Sequence, residues 1–116
     1  MIKPVITEAG GSGYVATWSG LVVGETCEPV AFVGASDRTV QVLGTFGAGG
    51  SVSIEGSLQP VPSTYATLTD PQGNALTFTG AKLESISELV SFVRPNITGG
   101  DGTTALTVHL LMRSTL

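Results

Sequence analysis

Residues 39–57 read TVQVLGTFGAGGSVSIEGS. Val40, Val42 and Phe46 fall on one side of an extended chain, and after the glycines Val52 and Ile54 resume the same two-residue beat. β-Branched residues suit a pleated surface with one buried face, and the Gly-Ala-Gly-Gly break supplies the positive φ angles of a tight reversal. The stretch therefore predicts a β-hairpin, and the rest of the chain reads as further hairpins stacked against it.

On the N-terminal side, Tyr14, Ala16 and Trp18 alternate onto one face of a first core strand, with Trp18 as its anchor. A second strand is expected over residues 28–33, where Val30 and Phe32 point the same way, followed by a loop over residues 34–37. On the C-terminal side, Pro60 and Pro62 cannot donate to a sheet ladder, so residues 58–64 read as an exposed, irregular connection. Short strands over 65–69 and 75–79 flank the turn Asp70-Pro71-Gln72-Gly73-Asn74. Leu83 and Ile86 are three apart and Glu84 and Glu88 four apart, a helical spacing that predicts a turn or two of helix over 80–88. The last pair of strands is joined by Gly99-Gly100-Asp101-Gly102. In its final member Leu106, Val108, Leu110 and Met112 share one face, and Thr107, His109, Leu111 and Arg113 the other.

The fold class expected is all-β: an antiparallel β-sandwich, jelly-roll-like, of about eight short strands with one short helical turn. An immunoglobulin-like sandwich is the alternative topology, although a single cysteine, Cys27, rules out the two-cysteine pin of that fold. Residues 1–13 are expected to form an N-terminal arm and glycine-rich tether, and residues 14–116 the sandwich. Within the arm, Ile2, Pro4, Val5 and Ile6 form an apolar segment that either docks on another molecule or lies as an edge strand on its own domain.

At 116 residues the chain can bury a core without disulfides or a structural metal. Only 12% of residues are charged and the mean hydropathy is +0.35, so a surface partly covered by neighbours in an assembly is one reading and an ordinary Ser- and Thr-rich β-domain the other. Net charge is −4 and the five basic residues are scattered, which argues against a nucleic-acid partner. No apolar run approaches the roughly 20 residues that span a bilayer, so no membrane partner is expected. Residues 1–13 lack the apolar stretch of a secretory signal, and the chain is expected to be made in a cytoplasm, leaving only as part of a larger particle.

No catalytic, cofactor or metal site is expected. The one histidine, His109, falls mid-strand on the outward face, where an exposed strand residue is the simpler account than a general base. Ser12 in GGSGY lacks the second glycine of a nucleophile elbow. One cysteine and one histidine make no zinc set, and the loops of Asp70 and Asp101 lack the neighbouring carboxylates of a calcium site, so turn formation is the reading for both aspartates. The glycines at 47–50 have neither the spacing nor the following helix of a phosphate loop.

Four stretches, WSGL at 18–21, DRTVQVLGTFGAGGSVSIEGS at 37–57, YATLTDPQGNALTFT at 65–79 and VRPNITGGDGTTALTVHLLMR at 93–113, resemble a family of small tailed-bacteriophage proteins of the head module. Proteins of that kind decorate or cement capsids. The resemblance covers most of the chain after the arm and lies in strand and turn language rather than in a chemical signature. It implies a virion structural protein on the outer surface of the head, with the major capsid protein as partner and association as a dimer or trimer at a symmetry axis; on that reading the apolar arm supplies Ile2, Pro4, Val5 and Ile6 as capsid-contact candidates. The chain departs from the pattern at residues 58–64, where relatives tend to carry an Asn-Asp-Gly-Thr-type turn, so the partner of that loop can differ here. The closing strands also resemble galactose-binding-like jelly rolls, an analogy of fold that carries no sugar site with it. The competing expectation is a carbohydrate-binding or host-attachment module of a virion, stacking sugars on Trp18, Tyr14 or Tyr65.

Overall fold

The computed structural model describes residues 1–11, 13–31 and 35–114. Ten strands follow in order: β1 (Val5–Glu8), β2 (Gly13–Leu21), β3 (Val30–Ala31), β4 (Asp37–Thr45), β5 (Ser51–Ser57), β6 (Ala66–Thr67), β7 (Thr77–Phe78), β8 (Lys82–Ser85), β9 (Phe92–Gly99) and β10 (Ala105–Arg113). Sheet one has the order β1-β2-β10-β4-β8, and sheet two the order β3-β9-β5-β6 with β7 also paired to β5. Every strand pairing is antiparallel. The all-β sandwich expected from the alternation is therefore the architecture of the chain, with β1 and β8 as the strands that alternation did not count.

Period two accounts for the core. Leu106, Val108, Leu110 and Met112 of β10 are no more than 2% exposed, and Ala16 and Trp18 of β2 and Val40 and Val42 of β4 complete the inner side of sheet one. Val52 and Ile54 of β5 and Val93 of β9 face them from sheet two. Trp18 is 1% exposed, and its indole N–H donates to the Glu28 carbonyl at 2.9 Å, which satisfies the one polar atom of a buried ring. Cys27 is also buried, next to Ile2, and burial raises its thiol pKa to about 11.

The hairpin expected over 39–57 does not form. β4 lies in sheet one and β5 in sheet two, so residues 46–50 arch from one layer to the other. Alternation reports which side chains face the core, and Val40 and Val52 do face the same core, but from opposite walls. The arch is possible because Gly47 and Gly49 take φ of 71° and 69°, and because Gly50 lies so close to Phe46 that a Cβ there would meet its carbonyl oxygen at 1.8 Å. The final pair is a second arch rather than a hairpin, since β9 belongs to sheet two and β10 to sheet one.

The two arches lie side by side and are tied together. Asp101 accepts from the Ala48 amide at 2.9 Å and from the Thr103 amide and hydroxyl at 2.9 and 2.6 Å, while the Thr104 hydroxyl donates to the Phe46 carbonyl at 2.7 Å. The Thr103 hydroxyl first, then the two amides, hold the Asp101 carboxyl down at about 2. A carboxylate with a folded-state pKa below its unfolded value near 3.8 stabilises the fold at higher pH, and that contribution disappears as pH falls toward 2. Asp101→Asn is accordingly expected to lower the urea midpoint at pH 7. Its deficit relative to the parent should shrink between about pH 4 and pH 2. A deficit that is independent of pH would mean that the amide bonds, not the charge, fasten the arches.

No helix forms over 80–88. Lys82–Ser85 is extended and covers the free edge of β4, with Gln41 opposite Leu83 and Thr39 opposite Ser85. Leu83 points outward at 60% exposure and Ile86 is buried, so the pair that suggested one helical stripe lies on two sides. Residues 58–64 form the irregular connection expected, and Asp70 builds its turn by accepting from the amides of Gln72 and Asn74. The strand expected over 28–33 is present as β3, whereas Phe32, Val33 and Gly34, like Ser12, lie outside the described residues.

The N-terminal arm belongs to the sandwich. β1 pairs with β2 from Val5 opposite Thr17 to Glu8 opposite Tyr14, and the glycines that suggested a tether form the connecting turn, closed by bonds from the Ala9 amide to Gly13 and from the Gly13 amide to Gly10.

Candidate docking face

Because even-numbered residues of β10 face the core, its odd-numbered residues face out, and the register carries that assignment across sheet one. One row across the outer face runs Val5, Thr17, His109, Gln41, Leu83, and the next Thr7, Val15, Leu111, Thr39, Ser85. Beyond them lie Thr107 opposite Leu43 at one end and Arg113 opposite Asp37 at the other. The Arg113–Asp37 ion pair, 2.8 Å, is the charged feature of these rows; between it and Leu43 the face is aliphatic, hydroxyl and amide around the single imidazole of His109. Val15, Thr39, Gln41, Leu83, His109 and Leu111 line a shallow depression of about 420 Å³.

His109 sits at the middle of this face. Its Nδ1 is 2.8 Å from the Thr17 hydroxyl, a contact that orients the ring across the β2–β10 ladder. Cys27 lies in the core on the other side of the sheet with its thiol pKa raised, so the two do not form a nucleophile–base pair. Both aspartates of the glycine-rich turns spend their oxygens on nearby loop groups, and no cluster of three or more His, Cys, Asp or Glu side chains able to hold a metal occurs among the described residues.

The outer face of sheet two is built differently. Arg94 bonds Glu55 at 3.2 Å and stacks 3.7 Å over the Tyr65 ring, Asn96 donates to Glu55 at 3.2 Å, and the hydroxyls of Ser53 and Thr77 pair at 2.9 Å. A covered surface favours groups that lose little on dehydration; sheet one presents such groups, whereas sheet two carries a part-buried ionic network.

The four contact candidates divide. Val5, 64% exposed, falls in the row with His109 and extends the face to the sheet edge. Ile6, 48% exposed, stands opposite Ala16 and so emerges on the other side of β1. Ile2 is partly buried against the core, pinned by bonds from its amide to Thr26 and from the Glu28 amide to its carbonyl, and Pro4 is half-buried beside it. Sequence reading missed Val15, Thr17, Gln41 and Leu83 as members of a single surface. The available signal was the uncharged run Thr107, His109, Leu111 of outward positions in β10, ahead of Arg113. Comparison with protein-family models, curated proteins and solved structures finds no match to this chain.

Proposed function

We propose that the chain is a bacteriophage capsid decoration (cement) protein that sits on the outer surface of the head, bridges neighbouring major capsid subunits and docks through the outer face of sheet one. The observation that carries this reading is the five-strand, nearly charge-free face from Val5 to Leu83, set against the ionic network on the opposite sheet. The interleaved strand orders β2-β10-β4-β8 and β3-β9-β5-β6 support a jelly-roll reading, a fold plan that recurs in viral capsid proteins and in lectins. The resemblance of residues 18–21, 37–57, 65–79 and 93–113 to head-module proteins points the same way.

From strand spacing and rise the face covers on the order of 500 Å². That is below the roughly 800 Å² per partner of a standard stable interface, so each contact is modest and the shell gains from many copies and from symmetric pairs or trios of them. A module that binds only the assembled shell stabilises it by linkage. The carbohydrate reading loses its main platform, because Trp18 is in the core and a face of Tyr65 is covered by Arg94.

Deleting the arm would strip β1 from the sheet, so point variants are the cleaner test. Val15→Lys combined with Leu111→Lys is expected to lower co-sedimentation with capsids that lack the protein by about tenfold or more, since two ammonium groups would have to be dehydrated. Thr67→Lys on sheet two should bind as the parent does. Equal occupancy of all three would remove sheet one as the docking face.

A further inference from the structure

A second surface lies at the far edge of sheet two and makes a claim independent of the docking face. β6 pairs with β5 through only Glu55–Thr67 and Gly56–Ala66, and it ends the strand order of its sheet. Beside it runs an open groove of about 650 Å³, lined by Leu58, Gln59, Tyr65, Leu68, Glu88 and Val90 among others. Its floor is closed because residue 56 is glycine: a Cβ there would meet Val90 Cγ2 at 2.6 Å and Leu68 Cδ2 at 2.9 Å. Its wall is held by Gln59, whose side-chain oxygen accepts from the amides of Ser63 and Thr64 at 2.8 and 2.7 Å. Leu58 continues into an adjoining recess with Leu89, and these two side chains are 69% and 64% exposed.

One charge is fixed in this apolar setting. The Glu88 carboxylate accepts from the Thr69 amide at 2.8 Å and from the Thr69 hydroxyl at 2.5 Å, and these bonds hold its pKa below the usual carboxylate range. Glu88 has no ion-pair partner among the described residues. Of the nearby cations, Arg94 is already committed to Glu55 and Tyr65, and Arg38 is buried at the back of the adjoining recess. A groove in which Leu58, Tyr65, Leu68 and Val90 alternate with uncharged polar groups and which carries one oriented anion is complementary to an aliphatic stem ending in a cation.

We propose that this groove receives a lysine or arginine side chain of an extended segment of a partner protein, laid alongside β6. An extended segment would place alternate side chains into the groove, the cation at Glu88 and the aliphatic residues two positions to either side against Leu58 and Val90.

The test uses the full chain and the capped peptide acetyl-Val-Gly-Lys-Gly-Val-amide, whose lysine and two valines share one face when extended, followed by amide chemical shifts, with norleucine and glutamate versions of the central residue as controls. Saturable shifts confined to residues 56–68 and 88–90 are expected for the lysine peptide. Affinity should weaken by about tenfold for the norleucine peptide and for Glu88→Gln, the loss of one charge-assisted contact. Leu58→Ser, at an exposed position that leaves the fold intact, should weaken binding too, so the inference stays testable if Glu88→Gln perturbs the Thr69 contact. Absence of shifts at millimolar peptide, equal binding of the lysine and glutamate peptides, or shifts centred on sheet one would overturn it.

Discussion

Gly50→Ala is expected to cost about 3 kcal/mol or more of folding stability and to lower the melting temperature by about 10 to 15 °C. The added Cβ would fall 1.8 Å from the Phe46 carbonyl oxygen and 2.5 Å from its carbon, both backbone atoms that no side-chain rotation can move aside. Relief requires opening the arch between β4 and β5. The Phe46 carbonyl is also the acceptor for Thr104, whose hydroxyl in turn receives the Asp101 amide at 2.9 Å, so one displacement would unfasten both arches. Gly49→Ala is the matched control. It has φ of 69° with nothing within 4 Å of the new Cβ, and should cost only the ~1–2 kcal/mol of a left-handed alanine. Thermal melts of the two variants separate close approach from backbone conformation, and a Gly50→Ala protein no less stable than Gly49→Ala would show that the arch is not closed as described.

The same arch shows where the sequence stops being readable. Alternation in β2, β4, β5 and β10 was legible because a half-buried strand writes its burial in period two, and the residues so assigned, from Ala16 to Met112, are in the core, except that Tyr14 and Phe46, near strand ends, are only half-buried. Which strand lies beside which is not encoded in that pattern. From β2 onward the chain changes sheet at each step except through β5, β6 and β7, so neighbours in sequence are mostly partners across the core rather than in a ladder. β8 was misread for a related reason: four residues covering one edge of β4 give too short a beat to compete with the chance spacing of Leu83, Ile86, Glu84 and Glu88. Among the contact candidates, Ile2 looked free because its pinning depends on main-chain bonds to Thr26 and Glu28, and such bonds leave no mark on side-chain choice. The outer face of sheet one was half legible. Thr107, His109 and Leu111 could be placed outward, but their row partners come from four other strands and needed the register.

Leu110→Ala and Leu111→Ala, adjacent in the chain, should fail in different ways. Leu110 is fully buried, set between Ala16 of β2 and Val40 of β4 on the inner side of the central strand of sheet one. Its truncation leaves a cavity that Ala16 is too small to fill and that the ladders on both sides of β10 keep from collapsing. A loss of about 3 to 4 kcal/mol is expected, read as a lower urea midpoint at unchanged slope. Leu111 stands on the outer face between Val15 and Thr39 and is half-buried, so its truncation should cost about 1 kcal/mol or less. Capsid occupancy should show the opposite order: below its melting range Leu110→Ala keeps the outer face and binds, whereas Leu111→Ala loses aliphatic contact at the centre of that face and binds more weakly. If both variants lost stability equally, the inward and outward assignment of β10 would be wrong. If both retained full occupancy, the fold would stand, and the surface that grips the shell would have to be sought away from sheet one.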